Sequence, residues 1–280
     1  MYITQMETTT GDHSRLGDLG RLGNQIIRNV AVSLIAKKHN LYVNYYNYEL
    51  IKKLGIELFI GEKKHDKMIN LTDDNYFSIL NELELDTNLD PRQSFFQTKE
   101  IIDLIYNEFH RDSVKKTIME QNEFNVRYDA NNDLFIHIRL TDVEDKNPGI
   151  NYYMESIKGI EFDNLYIASD HTNHPMIREI QKIYQNARIL HCNEIETIKF
   201  GSTCKNIILS HGTFSAMIGY LAFYSNVHYP EYMKDKLWHG DIFSIEGWNQ
   251  QPLHMQQPQV AVQGQVILKS HKLLSMKRFF

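Results

Sequence analysis

The sequence predicts an α/β fold whose second half is a doubly wound parallel sheet. Four short segments that are nearly all apolar follow one another: LFIHIRL at 134–140, NLYIAS at 164–169, ARILHC at 187–192 and NIILSH at 206–211. Helical patterns separate and follow them, at 151–158, 174–186, 195–204 and 214–225. Apolar strands that alternate with helices are typical of a parallel sheet that is covered on both faces.

The first half is predicted to be rich in helices and less regular. Residues 24–39 carry an apolar side chain at every third or fourth position, which indicates one face of an amphipathic helix. Further elements are predicted as helices at 48–58, 73–82, 98–109 and 111–121, and as strands at 41–46 and 68–71.

The change of pattern near the polar stretch 127–133 divides the chain. We predict a helix-rich N-terminal domain at 1–126, a Rossmann-like domain at 127–248 and a C-terminal extension at 249–280. The extension is rich in glutamine and proline and ends on basic residues. It could be a weakly ordered tail, an element that packs on the first domain, or an oligomer contact such as that of a homodimer.

The composition excludes several classes of protein. The chain has 280 residues, of which 42% are hydrophobic and 23% charged, which is enough for one large core or two smaller ones. A net charge of −5 argues against a general nucleic-acid binder. Cys192 and Cys204 match no disulfide framework and no zinc motif, so both are expected to be reduced. Because neither a signal peptide nor a run of roughly 18 apolar residues is present, a soluble cytoplasmic protein is expected.

Polar residues follow three of the predicted strands. In an open parallel sheet, ligands bind outside the carboxyl ends of the strands. His137, Arg139 and Asp142 alternate at the end of the first strand, and Asp170 follows the second. The planar guanidinium of Arg139 suits bidentate binding of a phosphate or carboxylate, although a structural ion pair with Asp142 or Asp170 is the alternative.

The segment SHGTFS follows the fourth strand and opens a helix. Gly212 allows a close backbone approach, Thr213 and Ser215 offer hydroxyl groups, and His211 and Phe214 complete the segment. The free amides at a helix start bind anions, so a phosphate site is predicted here. Plain N-capping by Thr213 is the alternative.

The segment DLGRLGNQ precedes the first long helix. Gly20 and Gly23 flank Arg21, and Asn24 and Gln25 stand where an N-cap and a first turn belong. The segment is either a turn capped by Asn24 or a backbone loop that contacts a ligand across a cleft.

These segments, taken together, resemble the α-1,2-fucosyltransferase family. GRLGNQIIRNVAVSLIAKK is similar to its opening motif, FFQTKEII to its aromatic-Phe-Gln-Ser segment, and FIHIRLTD to its His-x-Arg-Arg-x-Asp strand. LYIASD is similar to a strand that ends in Ser-Asp, and IILSHGTFSAMIGYLA to the Ser/Thr-Phe-Ser helix start. The similarity spans about residues 18–232, in the order of the family.

The resemblance implies a GT-B-like fold of two facing Rossmann-like domains. It also implies an inverting glycosyltransferase that needs no metal or other cofactor, with a nucleotide-sugar donor on the second domain and a glycan acceptor on the first. Carried over, Arg139 binds the donor diphosphate beside His137, and Asp170 lies near the nucleoside. The segments 20–25 and 211–215 contribute further donor contacts, from Arg21, Gly23, Asn24, His211, Gly212, Thr213, Phe214 and Ser215.

Two departures from the family bear on the donor. Leu140 stands in place of the second arginine, and Ala216 and Met217 stand in place of paired tryptophans. GDP-fucose is therefore not the only candidate donor. Soluble members of the superfamily encoded by large DNA viruses lead us to consider UDP-xylose, and hence a xylosyltransferase, beside it.

Inverting sugar transfer also needs a base that accepts the proton of the acceptor hydroxyl. Asp142 and Glu144 follow the donor strand, whereas Asp73 and its neighbour Asp74 stand in the first domain. Each could instead be a helix cap or a solvated charge. From another class, a nucleotide-sugar or glycan binding protein without catalysis remains open, while an oxidoreductase is disfavoured because no GxGxxG follows a strand.

Overall fold

The structure, a computed structural model, describes residues 14–15, 20–232 and 239–253. Its first half contains the following α-helices and strands: β1 (Ser14–Arg15), α1 (Leu22–His39), β2 (Val43–Asn44), α2 (Tyr48–Lys52), β3 (Met68–Asn70), α3 (Tyr76–Asn81), β4 (Asn88–Asp90), α4 (Lys99–His110) and α5 (Asp112–Glu120). The strands form two separate parallel pairs, β1 with β2 and β3 with β4. Helices therefore dominate this half, as the sequence predicts.

The second half is built around a six-stranded sheet. Its elements are β5 (Leu134–Ile138), α6 (Ile150–Lys158), β6 (Leu165–Ser169), α7 (Pro175–Ile183), β7 (Arg188–Ile189), α8 (Glu194–Gly201), β8 (Asn206–Ile208), α9 (Thr213–Tyr220), β9 (Asn226–Pro230) and β10 (Asn249–Gln251). All neighbouring strands are parallel, in the order β10-β9-β8-β5-β6-β7. The predicted α/β class with its parallel sheet is confirmed.

The two faces of the sheet carry different cores. On β5, Ile136 and Ile138 point to a core that they share with α6 and α7. Phe135 points to the opposite face, into a core that continues through α8 and α9 to α1 and α4 of the first half. Because side chains alternate along a strand, His137 lies on the same face as Phe135, toward the first half.

Helix α1 is buried on nearly all sides. The sequence predicts an amphipathic helix there, yet polar side chains such as Arg28, Asn29 and Ser33 are buried as well as the apolar stripe. Each bonds to a main-chain group of the first half: Arg28 donates to Ser94 O and Pro91 O, Asn29 donates to Tyr46 O, and Ser33 Oγ accepts from Phe59 N. These bonds offset the cost of burying the polar groups.

Several predicted elements have different ends in the structure. The predicted helix 48–58 ends at Lys52 because Gly55 takes a positive φ of 77°, from which the chain continues without helix. The predicted helix 24–39 begins two residues earlier, at Leu22. β10 extends the sheet into the predicted extension, although its sequence, Asn-Gln-Gln, carries no apolar signal.

The domain boundaries at 126 and 248 stay a prediction. The rest of the extension, 254–280, with its predicted oligomer contact, lies outside the described residues. None of the helices in the described ranges is long and apolar enough to cross a bilayer.

Candidate functional site

A cleft lies at the carboxyl ends of β5, β6 and β7. It has a volume of about 220 Å³ and is bounded on one side by the start of α1. The lining residues are Arg21, Asn24, His137, Arg139, Ala168, Ser169, Asp170, Leu190, Cys192, Glu194, Thr197, Thr213 and Phe214. The position agrees with the rule that ligands bind outside the carboxyl ends of parallel strands.

Two helix starts meet at this cleft. A Cβ atom at Gly23 would lie 2.6 Å from Phe214 N and 2.6 Å from the carbonyl carbon of Thr213, so α1 and α9 touch through their first turns. Their N-cap residues, Arg21 and Gly212, make no side-chain capping bond. The positive ends of two helix dipoles are thus brought together beside the cleft.

The side chain of Asn24 links the halves instead of capping a helix. Its Oδ1 accepts a hydrogen bond from Gln97 Nε2 at 2.9 Å and one from Thr213 Oγ1 at 2.9 Å. The interpretations of Asn24 and Thr213 as N-caps are therefore wrong, since both side chains are engaged in this tertiary contact. Gly20 has a φ of 78°, and its carbonyl accepts from Gln25 Nε2 at 2.7 Å, which fixes the loop before α1.

Ser215 is hydrogen-bonded to the buried side chain of His137. Ser215 Oγ accepts from Ser210 N at 3.2 Å and lies 2.5 Å from His137 Nδ1. Either His137 Nδ1 or the hydroxyl of Ser215 is the donor in this bond, according to the tautomer of the ring. Burial lowers the pKa of His137 to about 4; the charge of Asp170 opposes this shift, and the charge of Arg139 adds to it. At neutral pH, the imidazole is therefore uncharged.

Arg139 binds the carboxylate of Asp142. Its Nε lies 3.1 Å from Asp142 Oδ1 and its Nη2 lies 2.7 Å from Oδ2. Arg21 approaches the same Oδ2 from the first half, at 3.4 Å. The hydrogen bond from Arg139 and the charge of both arginines hold the pKa of Asp142 below its usual value, against a smaller effect of burial. The predicted ion pair of Arg139 with Asp142 is thus present. The carboxylate of Asp142 lies between Arg139 and Arg21, which both line the cleft.

Asp170 lines the cleft but also fixes the segment after β5. Oδ1 accepts from Leu140 N at 2.8 Å, and Oδ2 accepts from Thr141 N at 3.3 Å and from Thr141 Oγ1 at 2.6 Å. The carboxylate of Asp170 thereby fixes the position of the main chain just after Arg139.

Some predicted site residues lie near the cleft without lining it. Gly23, Gly212 and Ser215 are the chain neighbours of the lining residues Asn24, Thr213 and Phe214. His211 is buried against Tyr232 and His239, and burial lowers its pKa to about 3.

Two of the predicted bases lie apart from the lining residues. Asp73 Oδ1 accepts from Gln97 N at 3.1 Å, on the first-half side. Glu144 is 66% exposed and pairs with His174 Nε2 at 2.9 Å. Among the predicted carboxylates, Asp142 is the one whose arginine partners line the cleft.

The sequence reasoning missed one wall of the cleft. Leu190, Cys192, Glu194 and Thr197 come from the end of β7 and the start of α8. The same strand-end rule points to them, but the third predicted strand ends in an apolar and a sulfur side chain that carry no evident chemistry. No group of three or more His, Cys, Asp or Glu within the described ranges could hold a metal ion.

Comparisons with known proteins give little further information. No family model matches the sequence, and no curated protein matches it significantly. Among the solved structures, a mutant of Arabidopsis thaliana FUT1 in complex with GDP is similar to this chain. The two are 12% identical, with a TM-score of 0.41, over 78% of this chain and 70% of the other.

Proposed function

We propose that this protein is an inverting glycosyltransferase that transfers a sugar from a nucleotide diphosphate sugar to a hydroxyl group of a glycan. One observation carries the proposal: two arginines and two uncapped helix starts converge on one cleft at the carboxyl ends of a parallel sheet. This set of groups is suited to a pyrophosphate, which carries several negative charges and many acceptor oxygens.

The leaving group determines what the cleft has to supply. As the sugar departs with oxocarbenium character, negative charge grows on the diphosphate. Arg139 and Arg21 supply full positive charges, and the first amides of α9 supply partial ones. His137 adds an uncharged imidazole beside Arg139. The arginines and the helix amides would thus stabilise the charge that develops on the leaving diphosphate.

The nucleoside is proposed to lie along the wall that β6, β7 and α8 provide. Ala168 and Leu190 offer apolar surface for a base, and Glu194 and Thr197 offer polar atoms for its edge. GDP-fucose and UDP-xylose remain the two candidate donors.

Asp73 is the proposed base. Asp142 is a poor acceptor of a proton because Arg139 and Arg21 hold its pKa low. Glu144 is mostly exposed and engaged by His174. Asp73 is half-buried, lies on the acceptor side and is tied by Gln97 to Asn24 of the cleft.

The test is a thermal-shift panel of GDP, UDP, GDP-fucose and UDP-xylose. A ligand that binds only the native state raises its stability, by about 2.7 kcal/mol at one hundred times Kd. We expect one nucleotide pair to stabilise the protein and Arg139→Ala to lose that stabilisation, because the diphosphate loses its most buried positive partner. The ligand-free melting temperature of the variant should change little.

Arg92→Ala is the matched control. Arg92 is an exposed arginine that pairs with Asp90 and does not line the cleft, so its loss should leave the shift intact. If none of the four ligands stabilised the wild-type protein, the proposal would be wrong. Donor binding without release of nucleoside diphosphate, in the presence of a glycan, would instead indicate a binding protein without catalysis.

A further inference from the structure

The carboxylate of Asp142 lies where an anionic ligand would meet the two arginines. It is bound side-on by Arg139, through two hydrogen bonds of 3.1 Å and 2.7 Å. Arg21 reaches the same carboxylate across the cleft at 3.4 Å. A phosphate group that binds a guanidinium uses the same fork of donors.

The two arginines differ in how far their side chains are exposed, and hence in how freely they could turn toward a ligand while they hold Asp142. The Arg139 side chain is only 13% exposed, so it has little room to turn toward a second anion while it holds Asp142. The Arg21 side chain is 58% exposed and remains largely solvated. A ligand phosphate that takes the Nε and Nη2 donors of Arg139 must therefore replace the carboxylate.

The segment that carries Asp142 is attached at both ends. Asp170 binds Leu140 and Thr141 on one side, and on the other side Asn147 Nδ2 donates to Arg139 O at 2.9 Å. Asp142 itself is 38% exposed, and the hydrogen bonds to its carboxylate from other side chains come from Arg139. The carboxylate could leave the arginines while the ends of the segment stay in place.

We propose that Asp142 is an internal competitor for the anion site: its carboxylate occupies the Arg139 and Arg21 guanidinium groups and is displaced when a phosphate ligand binds. The inference rests on the proposed function for the identity of the ligand as a diphosphate. The inference adds that the cleft binds a phosphate ligand more weakly than its positive groups would if Asp142 were not there. Such a contact favours release of the nucleoside diphosphate product, because the carboxylate returns to the arginines.

The experiment measures the Kd of inorganic pyrophosphate by calorimetry at low ionic strength. Pyrophosphate probes the anion site without depending on the nucleobase or sugar. We expect Asp142→Asn to bind it about tenfold more tightly than wild type, equivalent to about 1.4 kcal/mol, because a neutral amide is a weaker competitor. Asp142→Glu, which keeps the charge, should stay close to wild type.

Asp129→Asn is the matched control, because Asp129 forms a surface ion pair with Lys205 away from the cleft. Its Kd should be unchanged, and the ligand-free melting temperatures of all variants check the fold. Equal or weaker binding by Asp142→Asn would overturn the competitor while leaving the anion site standing. Failure of both wild type and Asp142→Asn to bind pyrophosphate would overturn the anion site as well, and the proposed function with it.

Discussion

The two halves of the molecule use their polar side chains in different ways. In the first half, Arg28 and Asn29 of α1 are buried and bond to carbonyl groups of neighbouring loops. In the second half, His137 and Arg139 stand at a strand end and line a cleft. Position in the fold, more than residue type, thus separates polar groups that hold the structure from those that can meet a ligand.

Asp73 is the residue at which this comparison could break, because it is a first-half carboxylate with a proposed catalytic role. Asp73→Asn is expected to lower the rate of sugar transfer by about a hundredfold or more, since an amide cannot accept the proton. Donor binding should persist. Release of nucleoside diphosphate and donor Kd are the two measurements.

The exposed neighbour Asp74 provides the control, and Asp74→Asn should keep the wild-type rate. A normal rate in Asp73→Asn would assign Asp73 to the structural group of the first half, where its bond to Gln97 N would be its whole role.

Arg28→Met sharpens the comparison from the structural side. The change keeps an apolar chain of similar length but removes the bonds to Ser94 O and Pro91 O. We expect the free energy of unfolding to fall by about 3 kcal/mol, because buried carbonyl groups lose charged donors. Chemical denaturation measures this change.

Arg178→Met, on the exposed face of α7, should stay within about 0.5 kcal/mol of wild type. A loss of nucleotide affinity in Arg28→Met, without a loss of stability, would contradict the division between the two groups.

Gly23→Ala tests the place where the two halves touch. The new Cβ would overlap main-chain atoms of Thr213 and Phe214, at a cost that the better helix propensity of alanine offsets only in part. The net loss of stability is expected to be about 1 to 2 kcal/mol. Gly159→Ala is the control, because no atom lies within 4 Å of its Cβ position. Equal melting temperatures for the two variants would contradict this expectation, because they would mean that α1 and α9 can move apart with no loss of stability.

Much of the fold follows from the sequence because a parallel sheet has a strong pattern. β5, β6 and β8 are runs of apolar residues, and their positions were predictable from that alone. β10 was not, because an edge strand of asparagine and glutamine is stabilised by main-chain pairing with β9 and needs no apolar face.

The sequence identified several residues that line the cleft, but it did not predict the contacts that those residues make. The strand-end rule identified His137, Arg139 and Asp170, all of which line the cleft. It could not show that Asn24 meets Thr213, since the two are separated by 189 residues and only the packing of α1 on α9 brings them together. Asn24 resembled an N-cap because the same amide can bond to a nearby main chain or to a distant side chain.

The contact at Gly23 also limits how this sequence can change. A side chain that obstructs a neighbour can be compensated by a smaller residue opposite, but the atoms that face Gly23 belong to the main chain and are the same for every residue at 213 and 214. No partner substitution can therefore restore the space. In a set of homologous sequences, or in a library built on this scaffold, position 23 should remain glycine even where the residues around the cleft diverge.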